Sequence, residues 1–213
     1  MVYFLIFVSA ILVNNIVLSQ FLGICPFLGV SKKIDTALGM SAAVAFVLTV
    51  ATVVTYLLQQ LLNYMGREMF GDESTFLFLQ TILFILVIAA LVQMIEIMLK
   101  KVSPSLYQAL GVFLPLITTN CCILGVALIV ADPAQLMQKL PSTEEVTLGY
   151  NLLNGTLYAL ATAIGFGLAL VLFAGIREQL ALAKVPKAMQ GTPIALLPAG
   201  LLAMAFMGFS GVA

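Results

Sequence analysis

Histidine and tryptophan are absent from this sequence, and charge is scarce: nine basic and nine acidic residues in 213. The missing histidine excludes, within this chain, haem ligation by imidazole, Rieske-type iron ligation, a histidine general base and a histidine proton relay. Charged residues make up 8% of the chain, against roughly 25% in an ordinary soluble domain, which excludes that class. A formal net charge of zero offers no electrostatic footprint for nucleic acid. The three cysteines, Cys25, Cys121 and Cys122, lie in apolar stretches. An extracellular disulfide scaffold carries more, in polar loops. The opening "MVYFLIFVSAILVNN" lacks the positive region of a secretory signal and reads as a retained first span.

Hydrophobic residues fill 62% of the chain. The charges punctuate it, leaving uncharged runs at 1–31, 36–66, 74–95, 102–131, 146–176 and 188–213. Each exceeds the ~20 residues that a helix needs to cross ~30 Å of hydrocarbon. None shows the polar alternation of a spanning strand. The expected fold is all-α, a polytopic protein of six transmembrane helices in a lipid bilayer. Lys32, Lys33, Lys100, Lys101, Arg177, Lys184 and Lys187 follow spans one, three and five, whereas Arg67 and Lys139 fall on the other side. That bias places both termini outside and the first group in the cytoplasm. The longest connection, 132–147, then faces outward.

Two short motifs match. "CPFLGV" at 25–30 and "CCILGV" at 121–126 both read C-x-x-L-G-V, 96 residues apart. Upstream, "FLGICP" has a looser counterpart in "LGVFLP" at 110–115. Each motif lies in the first span of a three-span half, 1–101 and 102–213. Three is odd, so a duplication of this kind is inverted, with functional groups near the midplane on broken helices. Depth agrees. Cys25 lies ~12 Å inside the cytoplasmic boundary at Lys33, and Cys121 ~14 Å from the same face, counting inward from Asp132.

Three readings of the cysteines compete: small buried hydrophobes, a disulfide, or thiolate ligands. Matching position and depth favour ligands for Cys25 and Cys121. A four-thiolate iron–sulfur cluster needs two more, so a second subunit would complete it. Gly23, Gly29, Gly111 and Gly125 permit close backbone approach, while Pro26 and Pro115 each remove a backbone donor and can break a helix. Clustered around cysteine in both halves, they predict a break in each first span, lining a cavity or buried in protein. Asn14, Asn15, Gln93, Thr118, Thr119 and Asn120 suit interhelical hydrogen bonds. Thr119 and Asn120, beside Cys121, also suit hydrogen bonding to a cofactor's sulfurs. Glu96 sits four residues before Lys100, a spacing for an ion pair; a carboxylate on an ion path is the alternative.

At these residues a family resemblance emerges. "NNIVLSQFLGICPFLGVSKK", "SPSLYQALGVFLPLITTNC", "LFAGIRE" and "FMGFSGV" resemble the A subunits of Rnf complexes, the ion-translocating ferredoxin:NAD⁺ oxidoreductases. The E subunits of sodium-translocating NADH:quinone oxidoreductases are similar. The resemblance spans nearly the whole chain except 132–147. It implies a multi-pass subunit of a bacterial inner membrane, with both termini on the periplasmic side, inactive alone and paired with a homologous six-helix E subunit. Together the two would hold one [2Fe–2S] cluster, with Cys25 and Cys121 the ligands from this chain. Gly23, Pro26, Thr119, Asn120 and Cys122 would surround it. The other partners implied are the B, C, D and G subunits, and electron flow would be coupled to Na⁺ or H⁺ movement. Where the family has a small apolar residue after "TTNC", this chain has Cys122; the C-x-x-L-G-V register points to Cys121 as the ligand. A Ser/Thr-Gly-Ala-Thr flavinylation motif is absent, so neither flavin nor haem is expected on this chain.

Two other functions fit the hydropathy alone. A small inverted-repeat permease or channel could dispense with both cysteines. A scaffold would show neither cofactor nor ion dependence.

Overall fold

The computed structural model describes residues 2–69, 73–102, 108, 114–132, 152–183 and 191–208, and every element among them is helical. Helix α1, Val2–Val8, runs into a π-helical turn, Ser9–Val13, and then the chain is irregular to Gly23. Helix α2 is Ile24–Val30, α3 Ile34–Met69 and α4 Glu73–Val102. Two short helices follow, α5 Leu114–Thr118 and α6 Cys121–Ala131; α7 is Leu152–Leu182 and α8 Thr192–Met207. Three segments are long and apolar enough to cross a membrane unaided: Ile34–Tyr64, Leu79–Met98 and Leu152–Leu182. Pro115–Ala131 and Pro193–Met207 are apolar but shorter. This is a polytopic helical membrane protein. Of the sequence expectations, Gly111 and the connection 133–147 lie outside the described residues.

Charges extend the long helices past the uncharged runs. Asp35 sits in the first turn of α3, and Lys100 and Lys101 in the last turn of α4. Each sign matches the partial charge that the helix dipole leaves at that end.

The core is the crossing of α3 on α7. Met40, Val44, Val47, Leu48 and Ala51 recur at helical spacing and are buried on α3. They meet Ala159, Ala163, Phe166, Ala169, Leu170 and Phe173 of α7, all buried. Small residues let the backbones close. A methyl group on Gly167 would lie 3.2 Å from Ser41 Cβ, and one on Gly165 would lie 3.2 Å from the Ala10 carbonyl oxygen. Without a hydrophobic driving force between helices in lipid, such close packing is what holds them together. Helix α4 is the contrast: 17% of its spanning window is buried, against 61% for α7. Its Leu79, Ile82, Ile85, Leu86, Met94, Ile97 and Met98 are exposed, an apolar surface that only lipid or another subunit's helices can cover.

Both breaks expected from the motifs are present, but neither starts at its proline. The first covers residues 14–23, upstream of Cys25, and the second Thr119 and Asn120. Pro26 lies in the first turn of α2, and Pro115 lies in α5, whose described residues begin at Leu114. First-turn N–H groups have no intrahelical acceptor, so proline there removes nothing the helix needs. Pro26 thus begins a helix rather than ends one.

The first break is held by Asn15, which is fully buried. Its Nδ2 donates to the carbonyls of Ile11, at 3.0 Å, and Gly165, at 2.9 Å. Its Oδ1 accepts from the N–H groups of Val17, at 3.1 Å, and Leu18, at 3.3 Å. One side chain thus serves the carbonyl side of the ending helix, the amide side of the next turn, and α7. In hydrocarbon each of those groups would otherwise cost several kcal/mol.

Candidate functional site

The two breaks meet. Gly23, at the start of α2, has φ +83°, a left-handed conformation natural to glycine. In it, the Gly23 N–H donates to Cys121 Sγ at 2.9 Å, joining residues 98 apart in sequence. A Cβ on Gly23 would lie 3.0 Å from Phe166 Cε2, 3.1 Å from Asn120 Oδ1 and 3.1 Å from Cys122 Cβ. Gly23, Asn120, Cys121 and Cys122 therefore form one tight knot, two residues from Cys25.

Asn120 is the N-cap of α6. It is buried, with extended backbone, and its Oδ1 accepts the Cys122 N–H at 3.0 Å. Starting the helix there turns consecutive cysteines in different directions. Cys121 is exposed and Cys122 fully buried, as the ~100° step per helical residue requires. In the other half, Cys25 is exposed in the first turn of α2, while Pro26 and Phe27 beside it are buried. All three cysteines are free thiols, so none forms a disulfide here. Cys122 takes the small-hydrophobe role. Thr119 is exposed, and its hydroxyl donates to the Pro115 carbonyl at 3.1 Å, which closes α5 rather than serving Cys121.

The two motif segments also exchange leucines. A Cβ on Gly125 would lie 2.7 Å from Leu22 Cδ1, and one on Gly29 would lie 3.3 Å from Leu116 Cδ1. Gly29 and Gly125 are the equivalent glycines of the two C-x-x-L-G-V motifs. Each receives a leucine from the segment that precedes the other motif.

The sequence marks Arg177 only as a cytoplasmic-side charge at the end of span five and gives no hint of its target. Its Nη1 donates to the Leu28 carbonyl at 2.7 Å and to Ser31 Oγ at 2.9 Å. Its guanidinium carbon lies 5.8 Å from the Phe173 ring centroid, and Phe173 stacks on Phe27 at 4.3 Å. Helix α7 thereby grips the C-terminal end of α2, the helix that carries Cys25. No local pattern around "GIRE" signals this, because the contact spans 149 residues.

Chemically, the chain presents two outward thiols at facing breaks, one of them already accepting a main-chain hydrogen bond. Among the described residues no three or more His, Cys, Asp or Glu side chains gather where they could hold a metal ion. Soft thiolates suit iron–sulfur, zinc or copper(I), and two of them leave a tetrahedral donor set to be completed from outside the described residues.

Comparison with known proteins shows the family. Residues 3–213 match the family described as "Rnf-Nqr subunit, membrane protein". The chain is similar to the A subunit of the Na(+)-translocating ferredoxin:NAD(+) oxidoreductase complex of Acetobacterium woodii. The two are 54% identical over 207 residues, 97% of this chain and 96% of the relative. It is 51% identical over 208 residues (98% of this chain, 96% of the relative) to the A subunit of the ion-translocating oxidoreductase complex of Syntrophotalea carbinolica. To the protein of the same description from Citrobacter koseri it is 47% identical over 210 residues, 99% of this chain and 97% of the relative. With residues 3–213 matched and relatives 47–54% identical over nearly the whole chain, the chain belongs to the Rnf-Nqr family of membrane subunits.

Proposed function

We propose that this chain is the A subunit of an Rnf-type ion-translocating oxidoreductase and provides half of an electron relay inside the membrane. Cys25 and Cys121 bind one [2Fe–2S] cluster together with two thiolates of a homologous six-helix protein, the E subunit of such complexes. The observation that carries this is the outward exposure of these two thiols at breaks that touch, beside a third cysteine that is fully buried. The reciprocal glycine–leucine contacts support an inverted pair of three-helix halves, 1–101 and 102–213. When bound, the cluster supplies one-electron transfer across the low-dielectric core. The chain's own residues hold the two sulfurs in place: Asn15 and Arg177 fix the segments on either side of Cys25, and Asn120 begins the helix that carries Cys121. The B, C, D and G subunits complete the assembly in a bacterial inner membrane, and the electron flow drives Na⁺ or H⁺ translocation.

The test is the intact complex, purified with the wild-type chain or with Cys25→Ser, Cys121→Ser or Cys122→Ala. Iron per complex and the EPR signal of the reduced state are measured. Either serine variant should lose the membrane cluster and electron transfer, since a hydroxyl is a harder, far less acidic ligand. Cys122→Ala should keep both. A full signal in Cys25→Ser would overturn the assignment. Loss in Cys122→Ala with retention in Cys121→Ser would move the ligand by one residue. A wild-type complex that lacks this iron would leave the permease reading standing.

A further inference from the structure

We infer that the main-chain amide of Gly23 is a positioning donor for the Cys121 sulfur and raises the reduction potential of the group held there. The first half of the chain thus tunes a ligand supplied by the second. This rests on the reading of Cys121 as a cluster thiolate.

The bond is short, at 2.9 Å, and its donor is available by construction. Gly23 precedes α2, so its N–H has no acceptor in that helix, while its carbonyl accepts the Phe27 N–H at 3.3 Å. The left-handed φ of +83° directs the amide away from α2, and the walls formed by Phe166, Asn120 and Cys122 admit no side chain. Two other donors near Cys121 are engaged elsewhere. The Cys122 N–H goes to Asn120 Oδ1, and the Thr119 hydroxyl to Pro115. The amide Nδ2 of buried Asn120 has no hydrogen-bond partner, which leaves a second donor in the same knot.

A ligating sulfur carries more negative charge when the cluster is reduced than when it is oxidised. A hydrogen bond to it therefore stabilises the reduced form more, and hydrogen bonds to the sulfurs are among the terms that set such potentials. The sign follows: removing the Gly23 donor makes reduction harder.

Gly23→Ala keeps an amide N–H, but its Cβ would lie 3.0 Å from Phe166 Cε2 and 3.1 Å from Asn120 Oδ1 and Cys122 Cβ, at a φ that alanine avoids, so the amide must move off the sulfur. The experiment compares the intact complex carrying the wild-type chain with this variant, by redox titration of the EPR signal. The cluster should remain in the variant, with the ratio of reduced to oxidised form at fixed ambient potential lower by about tenfold, a shift of about 59 mV for a one-electron couple. In complexes labelled with nitrogen-15 glycine, pulsed EPR of the reduced wild type should show a coupled nitrogen, and Gly23→Ala labelled with nitrogen-15 alanine should show none of that strength. A cluster-bearing variant that has lost the coupled nitrogen but keeps the wild-type midpoint overturns the inference; one that keeps the coupling is judged on the labelled wild type. If the variant does not assemble, the labelled wild type decides: a coupled glycine nitrogen supports the inference and its absence overturns it. A wild-type complex with no membrane cluster overturns the underlying reading instead, and is recognised because there is nothing to titrate.

Discussion

The guanidinium of Arg177, near the end of α7, bridges the Leu28 carbonyl and the Ser31 hydroxyl through a single nitrogen, at 2.7 and 2.9 Å. It neutralises the carbonyl end of a seven-residue helix that is too short to hold itself together. The Phe27–Phe173 stack fixes the same two elements.

Replacing Arg177 by Gln should loosen α2 without touching Cys25 directly. A hydrogen bond to a charged group is worth about 1.5–3 kcal/mol, so the thermal midpoint of the detergent-solubilised protein should fall. Lysine keeps the charge but loses the planar fork, and Arg177→Lys should lie between. A thermal midpoint unchanged in Arg177→Gln would show that the aromatic stack suffices.

Asn15→Ala removes four hydrogen bonds at once and leaves the Val17 and Leu18 amides and the Gly165 carbonyl without this partner. At about 1–3 kcal/mol for each buried group left unsatisfied, the variant should fail to accumulate as a monodisperse species in size-exclusion chromatography. Asn15→Asp places there a carboxyl that burial keeps protonated, with an acceptor oxygen and one O–H donor left, so it should be impaired less than alanine. Equal yields of all three proteins would contradict the role assigned to this side chain.

Gly125→Ala drives a methyl group to 2.7 Å from Leu22 Cδ1. The atom met is the free end of the Leu22 side chain, which can rotate away, so the cost falls at the low end of overpacking, about 1 kcal/mol. Shortening the opposing residue should relieve it, so Gly125→Ala with Leu22→Ala should be more stable than the sum of the single losses implies. Thermal unfolding of the four proteins in the cycle measures the coupling, and strict additivity would rule out the contact.

Thiol accessibility offers a direct check on side-chain direction. In the chain expressed without other subunits, a membrane-permeant maleimide should add to Cys25 and Cys121 and spare Cys122, which is fully buried. Intact mass should show two adducts, and one in Cys25→Ser. A third adduct at a comparable rate would mean that Cys122 is reachable.

Much of this architecture can be read before folding, for identifiable reasons. Long charge-free runs become α3, α4 and α7 because hydrocarbon demands internal backbone hydrogen bonding over a fixed thickness. The paired C-x-x-L-G-V motifs locate both breaks because glycine and proline cluster there. What escapes the sequence is every tie between distant segments. The hydrogen bond from Gly23 to Cys121 leaves no compositional trace, since its donor is main chain. Asn15 reads as one polar residue among several, and only the geometry reveals four simultaneous bonds. Proline misleads because the same residue that stops a helix from its interior is harmless in the first turn.

The long-range ties also set an order of events during biosynthesis. Asn15 reaches Gly165 across 150 residues, and Leu28 reaches Arg177 across 149. At about 5–20 residues per second, the N-terminal segment leaves the ribosome roughly 8–30 s before α7 exists to receive it. During that interval its interrupted backbone has no permanent companion in the bilayer. The insertion machinery or water at the interface must shelter it, and the two thiol-bearing breaks are locked in place only as the last long helix enters. Any group that Cys25 and Cys121 hold in common is therefore loaded late, after translation of the chain is nearly complete.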